Sequence, residues 1–487
     1  MNNKYSLLIM FILATCSAWA QPRVILLQDA VNIALDNNLS VKRSQLSLDG
    51  AQVNNLQSKA NFLPSANLGA NYGANFGRSI DPTTNDFIAQ QINAAGMSGN
   101  ANLTLFSGLR QYNSLMQSMK NIESAEQDLE FTRNRITMNV IMFYLNVIFN
   151  KELVSNANYQ LTSSKNQLER TRKLVNSGAL PRTNELELVS QVASNDVTLI
   201  NAQNNLDLAL LNLKQALMIP ASEEIDVSAP EIETSQIIEL ESGVDKVYES
   251  ALSSMPEIKS ADLGVESAIL GLKISKGAAL PSLSASAGFN TNYSGVLANR
   301  FVPDGSFQVE TDASGNPVTS ITPFITQSGE LVQQVSYTLG GSTERYGVTD
   351  QFSDNLSYFI GVGLNIPIFT RLQTHSSIQR SKISLSQAEI TALESRNTLR
   401  QDIETAYNNA EAALKTLEAS QRQVDALEET FRSIENQYNL GAANFTDYQV
   451  ANNNLFRAKS DLTRAKFDYV FTQKIIDFYL GNPINLD

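Results

Sequence analysis

The chain is two copies of one unit, and this repeat constrains its fold more than any other feature. Ser58–Ser65 recurs as Ser275–Ser282 at an offset of 217, so that Leu63-Pro64-Ser65 falls on Leu280-Pro281-Ser282 and Ala34-Leu35 on Ala251-Leu252. Further along the offset is 263. Phe106 meets Phe369, Arg133-Asn134 meets Arg396-Asn397, Tyr144 meets Tyr407, Gly178-Ala179 meets Gly441-Ala442 and Pro220 meets Pro483. The offset steps once, by 46 residues, inside a Gly-, Ser-, Thr- and Asn-rich stretch at about 294–355 that reads as an enlarged surface loop. The repeats then occupy 21–220 and 246–487. Residues 221–245, with Pro230 and mixed acidic residues, read as a linker that sits midway as an equatorial belt.

Within each unit the periodicity changes from helical to alternating and back. Asn67, Asn71 and Asn75 alternate with Leu68, Ala70, Tyr72, Ala74 and Phe76, while Asn100, Asn102 and Thr104 alternate with Ala101, Leu103 and Leu105. The second unit repeats the pattern around Ser284–Asn292 and again around Tyr358–Ile366. Four strands are expected, at about 66–77, 98–106, 283–293 and 357–367. Strands of 9–11 residues with one polar and one apolar face fit a soluble sandwich or a transmembrane barrel, and an export signal with long polar loops favours the barrel.

The remaining residues read as unusually long helices. No proline or glycine occurs from about Leu109 to Val175, and Arg371 to Leu440 repeats that rod, each about 100 Å long at 1.5 Å per residue. Ile122, Leu129, Ile136 and Phe143 lie seven apart, as do Leu385, Ala392, Leu399 and Ala406. Arg182–Leu217 and Lys246–Leu280 are each about half a rod, so stacked end to end they return the chain. The helix at about 27–62 pairs by the same arithmetic with the one at about 446–480.

Composition removes most chemistry. One cysteine, one histidine and one tryptophan leave nothing for a Cys/His zinc site or a Ser-His-Asp triad. With 36 Lys and Arg against 49 Asp and Glu, no basic patch exists for nucleic acid. Residues 1–20, with Lys4, an apolar stretch and Ala18-Trp19-Ala20, read as a cleaved signal peptide. A second reading of that segment attaches lipid to Cys16. Beyond it, no run of 18 apolar residues could form a spanning helix. Four strands cannot close a cylinder, and an open edge in lipid leaves unpaired backbone groups. Other copies must supply strands: two give eight with little lumen, three give 12 with a water-filled interior lined by Asn67, Asn71, Asn75, Asn100 and Asn102.

With the repeat, the two Leu-Pro-Ser strand entries, Leu364-Asn365-Ile366-Pro367-Ile368-Phe369 and Tyr438-Asn439-Leu440-Gly441, the whole mature chain resembles the bacterial outer-membrane efflux proteins, the TolC-like channel-tunnels. The resemblance implies a mixed fold: a homotrimer closing a 12-stranded transmembrane β-barrel over an all-α coiled-coil tunnel in the periplasm. It implies a passive conduit in outer-membrane lipid, with no catalytic residue, metal or cofactor. A periplasmic adaptor (membrane fusion protein) and an inner-membrane transporter of RND or ABC type would dock below. It puts Gly178 and Gly441 at adaptor-contacting tip turns and Asp447, Asn184, Thr183 and Tyr438 at a periplasmic aperture. The chain departs from the family's pattern at Val450 and Ala443, where an acidic residue and an arginine occur in some members, and at Asn184, an amide where a Thr-Asp pair is frequent. Asp447 also fits a helix first turn. An exported trimeric coiled-coil adhesin or scaffold would explain the heptads but not the paired hairpins. An exported enzyme would have to use His375.

Overall fold

A computed structural model of the chain describes residues 23–80, 85–88, 91–228, 243–297 and 299–482. The signal segment, Cys16 and Pro230 lie outside the described residues. In chain order the first repeat forms β1 (Arg23–Ile25), α1 (Leu27–Asn37), α2 (Leu39–Ala60), β2 (Ser65–Asn75), the short pair β3 (Ser79–Ile80) and β4 (Phe87–Ile88), β5 (Ile92–Ser107), α3 (Arg110–Asn176) and α4 (Arg182–Ala216). After β6 (Ile225–Val227) come α5 (Val244–Ser254), α6 (Pro256–Gly277), β7 (Ser282–Ser294), β8 (Asn299–Val309), β9 (Thr319–Ile325), β10 (Leu331–Val335), β11 (Tyr337–Arg345), α7 (Val348–Asp354), β12 (Ser357–Asn365), α8 (Gln373–Asn439) and α9 (Phe445–Tyr479). The chain divides into a unit of Met1–Leu56, Asn113–Lys273 and Ser377–Asp487, and a unit of Gln57–Tyr112 and Ile274–Ser376.

The first unit is helical. Helices α3 and α8 each run 67 residues and α4 and α9 each run 35, as the uninterrupted helix-forming sequence predicts. Two cores of the unit are copies of one another. In the first, Ala30, Ala34, Val140, Tyr144 and Leu213 are buried with Ile25, Ile225 and Val227. The mates of Ala30, Ala34, Val140 and Leu213, which are Val247, Ala251, Ile403 and Ile476, are buried in the second, and Tyr407, the mate of Tyr144, is partly buried against it. Tyr144 donates one hydroxyl to two acceptors, Ile25 O at 2.9 Å and Ser228 O at 2.8 Å, and so pins the parallel pair β1·β6 beside α3. Thus part of the expected belt is a short strand that clasps the chain's beginning.

The helix expected at about 27–62 is two helices, broken at Asn38, and the one expected from Lys246 to Leu280 is broken at Met255. The two breaks are repeat mates with different causes. Asn38 turns to ψ 125 and its Oδ1 accepts the Ser40 N–H at 2.8 Å, a local cap for α2. At the second break Pro256 opens α6 and forces the preceding Met255 out of the helical region.

The second unit holds a four-stranded antiparallel sheet in the order β12-β7-β5-β2. The repeat governs its register: Ser65 opposes Asn102 and Asn67 opposes Asn100 in one hairpin, while their mates Ser282 and Ser284 oppose Asn365 and Gly363 in the other. Glycines admit aromatic rings at two points. A Cβ on Gly99 would lie 2.4 Å from the Phe289 ring, and one on Gly288 would lie 2.7 Å from the Phe359 ring. The strand β5 is longer than expected, starting at Ile92.

The stretch at 294–355, expected as a loop, is folded. β8 pairs with β11 and β9 with β10 into antiparallel ribbons, and α7 follows. Its base is fixed by Gln351, fully buried, whose amide oxygen accepts from Ser294 N at 2.9 Å while its nitrogen donates to Ser294 O, Leu297 O and Tyr346 O. The short alternation Phe307, Gln308, Val309 was hidden among turn-forming residues, and pairing of β8 with β11 across 28 to 46 residues supplied the order that composition did not.

Candidate functional site

The register sorts the sheet residues onto two faces. Asn67 lies opposite Asn100, Asn102 opposite Ser65, Asn71 opposite Gly96 and Asn75 opposite Ile92, so all five predicted asparagines share one face. Ser98, Ser284, Ser286, Asn290 and Asn292 continue it across β5 and β7. The other face carries Leu68, Tyr72, Phe289, Tyr358, Ile360, Val362 and Leu364. Tyr358 is 83% exposed and Ile360 87%, an apolar surface that a single chain in water leaves bare. All eleven residues of β2 are exposed, and both β2 and β12 are sheet edges.

In the helical unit, Gly178 and Gly441 end the two longest helices with φ of 77° and 75°. Each closes the same double hydrogen bond. Ala179 N donates to Leu174 O at 2.8 Å and Gly178 N to Val175 O at 2.9 Å; Ala442 N donates to Gln437 O at 2.7 Å and Gly441 N to Tyr438 O at 3.0 Å. This is the Schellman arrangement, which needs a left-handed residue where glycine stands. Nothing lies within 4 Å of a Cβ built on either glycine, so conformation and not space demands it.

After each turn the chain reverses into a shorter helix. Asn444 caps α9, its Oδ1 accepting the Asp447 N–H at 2.8 Å, and leaves Asp447 exposed in the first turn. Its mate Asn184 follows Pro181, which offers no side-chain cap, and Thr183 Oγ1 lies 3.5 Å from Asn184 Oδ1. Thr183 is exposed and Asn184 half-buried. Tyr438 stacks on Tyr448 with centroids 5.1 Å apart, in a cluster with Phe431 and Phe445 that also holds Leu168 and Leu188. Burial pushes the Tyr448 hydroxyl above its ordinary pKa.

Sequence reasoning missed that aromatic cluster, although Phe431, Tyr438 and Phe445 lie seven apart. It also missed the Asn444 cap, signalled by Asn before the apolar Phe445. A seam of neutral amides and hydroxyls beside the cluster had no local signal. Asn195 donates to Ser164 at 3.0 Å, Gln160 to Asn453 at 3.3 Å, and Gln449 to Gln191. Glu185, a charged residue, holds Arg172 at 3.2 Å and Arg182 at 3.5 Å. His375 is exposed near the start of α8. Among the described residues no group of His, Cys, Asp or Glu is arranged to hold a metal ion, and no helix is long and apolar enough to cross a membrane.

The sequence profile described as outer membrane efflux protein matches residues 30–217 and 330–482, well over half of the chain. No curated protein matches it at the sequence level. Among solved structures, CusC, in a study of folding and transmembrane channel formation, is 14% identical with a TM-score of 0.72, covering 94% of this chain and 92% of its own. The outer membrane protein VceC of Vibrio cholerae is 14% identical with a TM-score of 0.71, covering 94% and 97%. The MtrE outer membrane channel of Neisseria gonorrhoeae, solved in its open state, is 17% identical with a TM-score of 0.67, covering 95% and 90%. The two-faced sheet and duplicated helical hairpins are this fold, and the chain belongs to the outer membrane efflux protein family as an outer-membrane channel-tunnel for exported substrates.

Proposed function

We propose that three copies of this chain close a 12-stranded barrel whose water-filled interior is lined by Asn67, Asn71, Asn75, Asn100 and Asn102. A periplasmic adaptor grips the turns at Gly178 and Gly441, and an inner-membrane transporter of RND or ABC type supplies the energy. Channels of this family are trimers that work with an adaptor and a pump. The observation that carries the reading is the four-stranded sheet with one amide face, one bare apolar face and two unpaired edges. Because its strands alternate in direction, β2 and β12 run oppositely, and β12 of one copy meets β2 of the next antiparallel. Closure pairs backbone groups that would each cost several kcal/mol unpaired in lipid. The apolar face then meets lipid and the amide face meets water, as passive conduction requires.

At the tip, Asp447 of each copy, with Asn184 and Thr183 beside it, forms the aperture. Three carboxylates near a threefold axis favour cations. Tyr438 supports the aperture through the aromatic cluster beneath it. The test is conductance of the purified trimer in a planar bilayer. A cation-preferring current whose cation-to-anion permeability ratio falls in Asp447→Asn is expected. Absence of conductance defeats the channel reading, and an unchanged ratio removes Asp447 from selectivity.

A further inference from the structure

The four junctions where strands of the sheet join the helices α2, α3, α6 and α8 carry positive charge and no carboxylate. The register gathers them at one end of the sheet, since Ser65 opposes Asn102, Ser107 opposes Ser282 and Ser282 opposes Asn365. Lys59 lies six residues before β2, Arg110 three after β5, Lys276 six before β7 and Arg371 six after β12. No Asp or Glu occurs in 50–80, 87–122, 267–303 or 355–388, although the chain holds 49 of them. Two contacts tie the junctions together within the sheet unit. Gln111 donates to Asn61 O at 2.7 Å, and a Cβ on Gly277 would lie 2.7 Å from Arg110 Cγ, so the Arg110 stem lies against the residue that follows Lys276.

These cations serve no contact inside the chain. Lys120 meets Glu266 at 3.1 Å and Arg300 meets Asp354 at 2.8 Å. Lys59, Arg110, Lys276 and Arg371 are instead exposed, and they form no ion pair or side-chain hydrogen bond among the described residues. Two of them stand where the backbone disfavours them. Arg110 opens α3, the helix end at which the macrodipole repels a cation. Arg371 holds φ 50° and Leu372 62°, whereas their repeat mates Gly108 and Leu109 hold 64° and 62°. The turn is the same in both repeats, and the second sets a strained arginine where the first has glycine. Large apolar side chains beside the cations are bare: Phe62, Leu63 and Leu109 are exposed, Phe369 is 77% exposed and Ile368 95%. On the sheet Phe106 opposes Leu283, which opposes Leu364, so the apolar face continues to this end. A register shift between Thr104 and Phe106 returns that ring to the apolar side.

We propose that Lys59, Arg110, Lys276 and Arg371 form a basic collar that holds anionic phospholipid headgroups in the periplasmic leaflet of the outer membrane. This rests on the barrel reading above and adds the lipid that the lower rim of the barrel selects. In a channel-tunnel the strand ends that lead into the helices face the periplasm. The bare rings and the side-chain stems stay in hydrocarbon there, while the charged ends reach the phosphates, as interfacial Lys and Arg do. A cation close to an anionic membrane surface contributes about fivefold to binding, and four from each of three copies encircle the barrel. Cations turned to the lumen would instead favour anions in the pore, and the bare apolar side chains beside these four argue for lipid.

The test offers the trimer, purified in a neutral detergent, phosphatidylglycerol or phosphatidylcholine. Native mass spectrometry counts the bound lipid, and the thermal shift gives its apparent affinity. The parent protein should prefer phosphatidylglycerol by about tenfold or more at low salt, with the preference falling as salt rises. Lys59→Gln, Arg110→Gln and Lys276→Gln should each lower it by about fivefold, and the three combined with Arg371→Gly should abolish it. Arg371→Gly alone takes the residue of its repeat mate, so the lipid preference should fall while the melting temperature without lipid holds or rises. Equal affinity of the parent for both lipids overturns the proposal, as does a preference that survives the combined variant. Inorganic phosphate that displaces phosphatidylglycerol at equal concentration overturns the lipid as occupant. A combined variant that changes the cation-to-anion permeability ratio and leaves the lipid preference intact puts the cations in the pore and overturns the collar. If the combined variant does not assemble, Arg371→Gly decides by the same readouts. A parent protein that forms no conducting trimer defeats the barrel reading itself, a result seen without any added anionic lipid.

Discussion

Replacing Gly441 with alanine isolates the conformational demand at the tip. The residue holds φ 75°, and an added Cβ meets nothing within 4 Å, so the substitution introduces no clash. What it adds is the left-handed penalty for a residue with a Cβ, about 1–2 kcal/mol. That penalty falls on the folded turn alone, which the Ala442-to-Gln437 and Gly441-to-Tyr438 hydrogen bonds hold closed. Local opening should therefore rise by about 5–30-fold. The readout is amide hydrogen exchange of the peptide covering residues 437–445, measured where reclosing outpaces exchange. Gly264 is the control with the opposite sign. It lies inside α6 with nothing within 4 Å of its Cβ, and alanine there should slow local exchange by relieving about 0.5–1 kcal/mol of glycine's backbone entropy. Unchanged or slower exchange at 437–445 in Gly441→Ala would refute the claim that the turn needs a left-handed glycine.

Gly178→Val and Gly441→Val should each weaken crosslinking to the adaptor while the trimer persists; unchanged export with either would count against adaptor docking at these turns. Tyr144→Phe removes the donor to Ile25 O and Ser228 O in a buried site, an expected loss of about 1–3 kcal/mol. Faster proteolysis near residues 23–25 should accompany lower thermal stability, and equal stability would show that the pin is idle. Burial, with Asp402 nearby, raises the Glu257 carboxyl pKa in the fold. The folded state therefore keeps this proton to higher pH than the unfolded chain, and stability falls as pH rises through that window. Glu257→Gln should raise the melting temperature at neutral pH and lose that advantage below the ordinary carboxylate range; a constant difference across pH would exclude the titration as its cause.

Sequence periodicity reached far into this molecule. Both 67-residue helices begin and end within two residues of where the Gly- and Pro-free runs place them, because a helix of that length is dictated by the residues it contains. The asparagine face is equally local, since alternation fixes which side chains share a side of a strand. The repeat went further, because two copies of one sequence pattern settle into one register. Of the candidate site, the two glycines that end the long helices were legible from the αL requirement at a helix end, while the stacking of Tyr438 on Tyr448 was not.

Only the tertiary structure decided the rest. Tyr438 lies in an aromatic cluster because Leu168 and Leu188, some 250 residues away, close over it. The amide seam of Gln160, Asn195 and Gln449 joins residues as far as 293 positions apart, and no local pattern marks such pairs. The stretch at 294–355 became ribbons since backbone hydrogen bonds between distant segments outweigh a turn-rich composition. What the sequence by itself determined are the elements whose order is written in neighbouring residues. What it left to the fold are contacts whose free energy exists only after two remote surfaces have met.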